Sequence, residues 1–119
     1  MILVDTSVWA EHFRGGRRDL SMLLEQQQVL GHPFVIGELS CGRLPHRKRT
    51  LADLAQLPAA PVAVQDEVLE LIERHRLMGT GLGWVDAHLL ASSFLAGAPL
   101  WTLDRSLGAQ ARRLGVSAD

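Results

Sequence analysis

The stretch Ile2-Leu3-Val4-Asp5-Thr6-Ser7-Val8-Trp9 decides how the rest of the chain is read. An unbroken run of Ile, Leu and Val suits a strand buried on both faces, as in a parallel sheet. Asp5 falls where that strand ends. In open α/β sheets, ligands bind outside the carboxyl ends of the strands. Thr6 or Ser7 can cap the helix that follows. Asp5 therefore has two readings, a helix cap or one of several acids gathered around a metal ion.

Working outward, Ser7 to Arg14 reads as a short helix stopped by Gly15-Gly16. Arg18 to Gln28 is a second helix, and Val29-Leu30 a brief strand. Pro33 suits the first turn of a helix that runs past Glu38 to Gly42. Arg47 to Leu57 forms another helix, and Val62-Ala63-Val64 is expected as a short strand. Gln65 to Met78 is the clearest amphipathic segment, with Val68, Leu71, Ile72 and His75 at helical spacing. After the loop Gly79–Gly83 comes a helix from Trp84 to Ala96, stopped by Gly97. Leu100-Trp101-Thr102-Leu103 is a strand ending at Asp104, and Arg105 to Leu114 is the last helix, with Val116 as a further edge strand. Strands alternating with helices predict an α/β layer fold with a small, mainly parallel sheet of four or five strands. There is no internal repeat, so residues 1–119 are expected to form one domain.

Composition narrows the classes. With 47% hydrophobic residues the chain is globular, and no apolar run approaches the roughly 20 residues of a membrane span. No membrane association and no signal peptide are expected. The lone Cys41, read as a half-buried helix residue, excludes an intrachain disulfide and a cysteine zinc cluster, which points to the cytoplasm. Net charge is −1, but setting aside four of the 13 acids leaves nine against 12 basic residues. The basic ones gather at Arg14/Arg17/Arg18, Arg43/Arg47/Lys48/Arg49 and Arg105/Arg112/Arg113. A basic rim around an acidic pit suits a phosphate-backbone substrate.

The four acids set aside are Asp5, Glu38, Asp86 and Asp104. Asp5 and Asp104 each end an apolar strand. Glu38 interrupts the apolar or small segment Phe34-Val35-Ile36-Gly37-Glu38-Leu39, and Asp86 lies in the first turn of an apolar helix. Singly, each has an ordinary explanation: Asp5 and Asp104 as helix caps, Asp86 as a favourable charge at a helix N-terminus, Glu38 as an exposed helix residue. Together they can converge at one sheet edge. Two like charges about 4 Å apart repel by ~4 kcal/mol at an effective dielectric of ~20, so protons or a divalent cation must relieve them. Oxygen-only ligands favour Mg²⁺ or Mn²⁺ over zinc. Hydroxyls of Thr6 or Thr102 are available to support the shell.

These residues resemble the PIN domain, and within it the VapC-type toxins, small ribonucleases of toxin–antitoxin pairs. Ile2 to Trp9 resembles the family's opening; Glu38, Trp84-Val85-Asp86-Ala87 and Leu100-Trp101-Thr102-Leu103-Asp104 resemble its later acid positions, in order. The resemblance spans nearly the whole chain. It implies a three-layer α/β/α fold, a Mg²⁺- or Mn²⁺-dependent endoribonuclease, a cognate antitoxin that occludes the site, and a homodimer. It also implies that Asp5, Glu38, Asp86 and Asp104 are the catalytic acids, with Asp5, Asp86 and Asp104 as metal ligands and Thr6 and Thr102 in support. The glycine-rich segment before Asp86 leaves that residue's local angle open.

Arg43, Arg47, Lys48 and Arg105 are candidates to contact RNA; the alternative is that they are solvated. The five histidines lack metal-ligand spacing and read as structural or solvated. The competing functions are a receiver-like Mg²⁺-binding signalling module and a PIN-like module without catalysis. Against the first, the only lysine, Lys48, does not stand at a late strand end; against the second, all four acids are intact.

Overall fold

A computed structural model describes residues 1–119. The elements are β1 (Ile2–Val4), α1 (Thr6–Gly15), α2 (Arg18–Glu25), β2 (Val29–Leu30), α3 (Pro33–Ser40), α4 (Arg47–Ala55), α5 (Gln65–His75), α6 (Trp84–Ala96), β3 (Leu100–Trp101) and α7 (Arg105–Arg113). The sheet has order β2-β1-β3 and both pairings are parallel, with Leu3 opposite Leu30 on one side and Leu100 on the other. The first strand is thus central. Leu3 and Val4 are fully buried, as the unbroken apolar run requires.

The sheet is smaller than expected, with three strands rather than four or five. Val62–Val64 forms no strand, because Pro58 and Pro61 lack N–H donors for a ladder and Val62 and Val64 are exposed. What remains of the additional strands is two isolated parallel bridges, Gly31 with Ala59 and Leu100 with Ser117. Cys41, expected as half-buried in a helix, is instead exposed at the C-terminal end of α3. The arrangement is that of a three-layer α/β/α fold, and no helix is long and apolar enough to cross a membrane.

The main core joins Leu3, Val4 and Leu100 of the sheet to Val8, Trp9, Val35, Leu89, Leu90 and Leu107 of the helices. A smaller cluster, Ala63, Val68, Ala87 and Ala91, seats α5 on α6, where Ala87 and Ala91 of α6 allow close approach. Its long run of apolar and small residues makes α6 the most deeply buried helix, and Gly97 ends it in the left-handed conformation at φ 61°.

Two contacts fix the elements that carry the acids. His32 caps α3: its Nδ1 accepts the Phe34 N–H at 3.0 Å, while Nε2 lies 2.9 Å from the Ser92 hydroxyl of α6. The helix bearing Glu38 is thereby tied to the helix bearing Asp86. In the glycine-rich loop, Gly81 has φ +89°, and a Cβ there would lie 2.9 Å from Ser106 Oγ. That loop packs against the first turn of α7, beside Asp104, and only glycine permits it.

Candidate active site

Asp5 is 5% exposed and sits at the boundary of β1 and α1. Its backbone carbonyl opens the helix, accepting from Val8 N–H at 3.1 Å, but its side chain makes no cap. The carboxylate turns instead to β3. Oδ2 accepts from Ser7 Oγ at 2.7 Å and from Thr102 Oγ1 at 2.6 Å. Each hydroxyl in turn accepts a backbone N–H from the segment that follows that strand, Leu103 to Ser7 at 2.9 Å and Asp104 to Thr102 at 3.0 Å. Each hydroxyl thus accepts one N–H and gives its single proton to the same carboxylate oxygen. Oδ1 carries no hydrogen bond from the protein.

The other three acids are held differently. Thr6 Oγ1 donates to Glu38 Oε1 at 2.6 Å. Asp104 caps α7, its Oδ1 accepting the Leu107 N–H at 2.9 Å, and Asp86 Oδ2 accepts the Gly83 N–H at 3.0 Å at the start of α6. The cap reading of Asp104 and the N-terminal-charge reading of Asp86 thus hold without excluding a second role, since each bond engages one carboxylate oxygen. The Gly83 bond also settles the angle of Asp86.

The four acids share one electrostatic field. Burial is the first cause that raises the Asp86 carboxyl pKa above the ordinary aspartate value. The Gly83 N–H opposes it, and the charges of Asp5, Asp104 and Glu38 push it further up. The sheet edge has therefore brought together the residues that the sequence singled out. No three Asp, Glu, His or Cys side chains form a ready-made metal cage. The donor set still fits a hard divalent cation: it is all oxygen, mutually repelling, and includes a half-buried carboxylate destabilised in its charged form.

By its place in the sequence Ser7 reads only as a helix cap. Because Asp5 itself occupies the cap position, the Ser7 hydroxyl is released for Asp5 and Leu103; the signal was the adjacent pair of hydroxyls at a strand end. Among the basic candidates, Arg43 lines a pocket next to Glu38. The Arg47 guanidinium is committed to the end of α3, donating to Ser40 O at 2.6 Å and Gly42 O at 3.1 Å. Lys48 and Arg105 are exposed. A larger groove of about 380 Å³ lies between α5 and α6, but none of the four acids lines it.

The family model described as the PIN domain matches residues 2–113. The chain belongs to the PIN-domain family. This PIN domain is 48% identical over 118 residues to Ribonuclease VapC32 of Mycobacterium tuberculosis, in strains CDC 1551 / Oshkosh and ATCC 25618 / H37Rv, covering 98% of this chain and 95% of the relative. The crystal structure of PAE2754 from Pyrobaculum aerophilum shares the PIN fold at a TM-score of 0.62, with 21% identity, over 92% of this chain and 78% of that one. The relatives identify a VapC-type PIN ribonuclease family, and a receiver-like module is not favoured.

Proposed function

We propose that this chain is a metal-dependent endoribonuclease toxin that hydrolyses RNA phosphodiester bonds and is inhibited by a cognate antitoxin. The observation that carries the reading is the Asp5 carboxylate, held by Ser7 and Thr102 at the carboxyl end of the central strand with Oδ1 left free, beside Glu38 held by Thr6. The similarity to a VapC ribonuclease over nearly the full length supports RNA as substrate and an antitoxin as partner.

Asp5, Asp86 and Asp104 are the residues that would hold Mg²⁺ or Mn²⁺. Such an ion, when bound, stabilises charge on a phosphoryl oxygen and makes a water more acidic. Asp5 offers Oδ1, because Ser7 and Thr102 hold Oδ2. Asp86 and Asp104 each offer the oxygen that their caps leave free. Glu38, braced by Thr6, orients the attacking water and takes its proton. Attack in line forms the new P–O bond and breaks P–O3′, leaving a 5′-phosphate and, after protonation, a 3′-hydroxyl. The basic residues around the pit would meet the flanking phosphates.

The test uses end-labelled RNA with the purified chain in Mg²⁺, Mn²⁺ or chelator, beside Asp86→Asn. Cleavage to 5′-phosphate ends is expected with metal only and is lost in the variant. Equal cleavage in chelator, or by the folded variant, overturns the assignment.

A further inference from the structure

A pocket of about 260 Å³ opens between α1 and α3, and Thr6 and Glu38 form one of its walls. Its other lining residues include Ala10, Phe13 and Leu44, which are partly buried, and the exposed Arg14 and Arg43. The volume lies below the ~300–1,000 Å³ of pockets that enclose a drug-sized ligand, which suits a single nucleotide unit.

The two arginines have no other occupation. The ion pairs of the chain use only Arg17 and Arg112, and the remaining guanidinium hydrogen bonds belong to Arg17, Arg47 and Arg113. Arg14 stands in the last turn of α1 and Arg43 just beyond α3, so two separate elements each bring an arginine to the lining of one cavity. Guanidinium is a weakly hydrated fork matched to phosphate. An apolar floor with a charged rim suits a base or ribose carrying its phosphate.

We propose that this pocket is a nucleotide subsite, taking the ribonucleotide next to the scissile bond, with Arg14 and Arg43 on its phosphate. The inference rests on the ribonuclease reading, because a strand engaged at Glu38 continues directly into the cavity that Glu38 lines. It goes further by assigning Arg14 and by giving Arg43 a defined place. Charge complementarity selects an anionic occupant, and the shared wall with the acids selects the RNA strand over an acidic protein segment.

The test measures binding of a fluorescent RNA oligonucleotide across a salt series in the cleavage-deficient Asp86→Asn background. Arg14→Ala with Arg43→Ala is expected to shrink the slope of log K against log salt by about 0.7 for each phosphate that is no longer neutralised. Arg74→Ala, in the distant α5–α6 groove, keeps the parent slope. In the otherwise wild-type chain, the double variant raises KM for RNA about tenfold and holds kcat within about twofold, the signature of weakened uniform binding. Leu44→Trp, which narrows the pocket without removing charge, also raises KM. Circular dichroism verifies the fold of each variant. An unchanged slope and KM in a parent that cleaves RNA overturns the subsite alone. A parent that cleaves no RNA overturns the ribonuclease reading with it. An unchanged RNA slope beside abolished binding of a polyglutamate peptide assigns the pocket to an acidic protein segment and also overturns the proposal.

Discussion

The Thr102 hydroxyl donates to Asp5 Oδ2 at 2.6 Å, joining residues 97 positions apart at the ends of two adjacent parallel strands. The bond follows from the sheet order: β1 and β3 are neighbours, so their carboxyl ends meet. Thr102 also accepts the Asp104 N–H, so one side chain positions the first acid and the backbone of the last.

Thr102→Val should therefore lower stability and activity together. It removes a charge-assisted hydrogen bond to a buried carboxylate, typically ~1.5–3 kcal/mol. Urea unfolding without metal checks the first effect. The expected turnover loss is on the order of a hundredfold, because a small misplacement of a reacting group carries that cost. A variant with parent stability would show that this bond does not hold Asp5.

Metal should stabilise the chain, and Asp5 should be required. An ion at about 100 times its dissociation constant adds ~2.7 kcal/mol to a native state that alone binds it. Thermal melts with and without Mn²⁺ are expected to show this rise in the parent and little of it in Asp5→Asn. Asp86→Asn should melt higher than the metal-free parent, because it removes a charge that burial and three neighbouring acids disfavour. A lower melting temperature for that variant would count against the shared field.

Acid should weaken the fold through His32. Burial, helped by the neighbouring His88, holds its pKa down at about 4, against 6.5 for an ordinary histidine. The unfolded chain therefore takes up the proton first as pH falls. Stability from the neutral ring is full above pH ~6.5 and declines until about pH 4, by ~3 kcal/mol. Asp86 has the opposite sign, since its raised pKa favours protonation in the folded state. His32→Asn, which keeps a capping side chain, should flatten the decline in denaturant midpoints between about pH 7 and pH 4.5. An equally steep decline would exclude His32 as its source.

Gly81→Ala should destabilise the loop before Asp86. Its φ of +89° is unfavourable for alanine, and the added Cβ would meet Ser106 Oγ at 2.9 Å. A loss of ~1–3 kcal/mol is expected from the backbone strain. Ser106→Ala should restore part of it by removing the steric contact but not the strain. A double-mutant cycle in urea measures the coupling.

Local signals carried much of the fold. The apolar run of β1, the helical spacing in α5 and the Gly97 stop are readable because each depends on neighbours within a turn or two. The four acids were legible for a related reason, since a carboxylate in an apolar segment is costly without a purpose. Val62–Val64 looks like a strand in sequence and is none in the fold, because short apolar runs do not reveal whether a neighbouring strand is in reach. The roles of Ser7 and His32 are not legible in sequence, because Leu103 and Ser92, which they bond, lie far along the chain.

The sequence by itself determined a parallel α/β chain with Asp5 at the end of its first strand and three later acids in order. Hydrophobic patterning and chemical type are local properties, and they survive without coordinates. Only the tertiary structure decided that Asp5 is not a side-chain cap, that Ser7 and Thr102 hold Oδ2 and leave Oδ1 free, and that Arg47 is spent on carbonyls while Arg14 faces a pocket. Those outcomes depend on which distant backbone groups arrive at hydrogen-bonding distance, and strand order and helix packing set that.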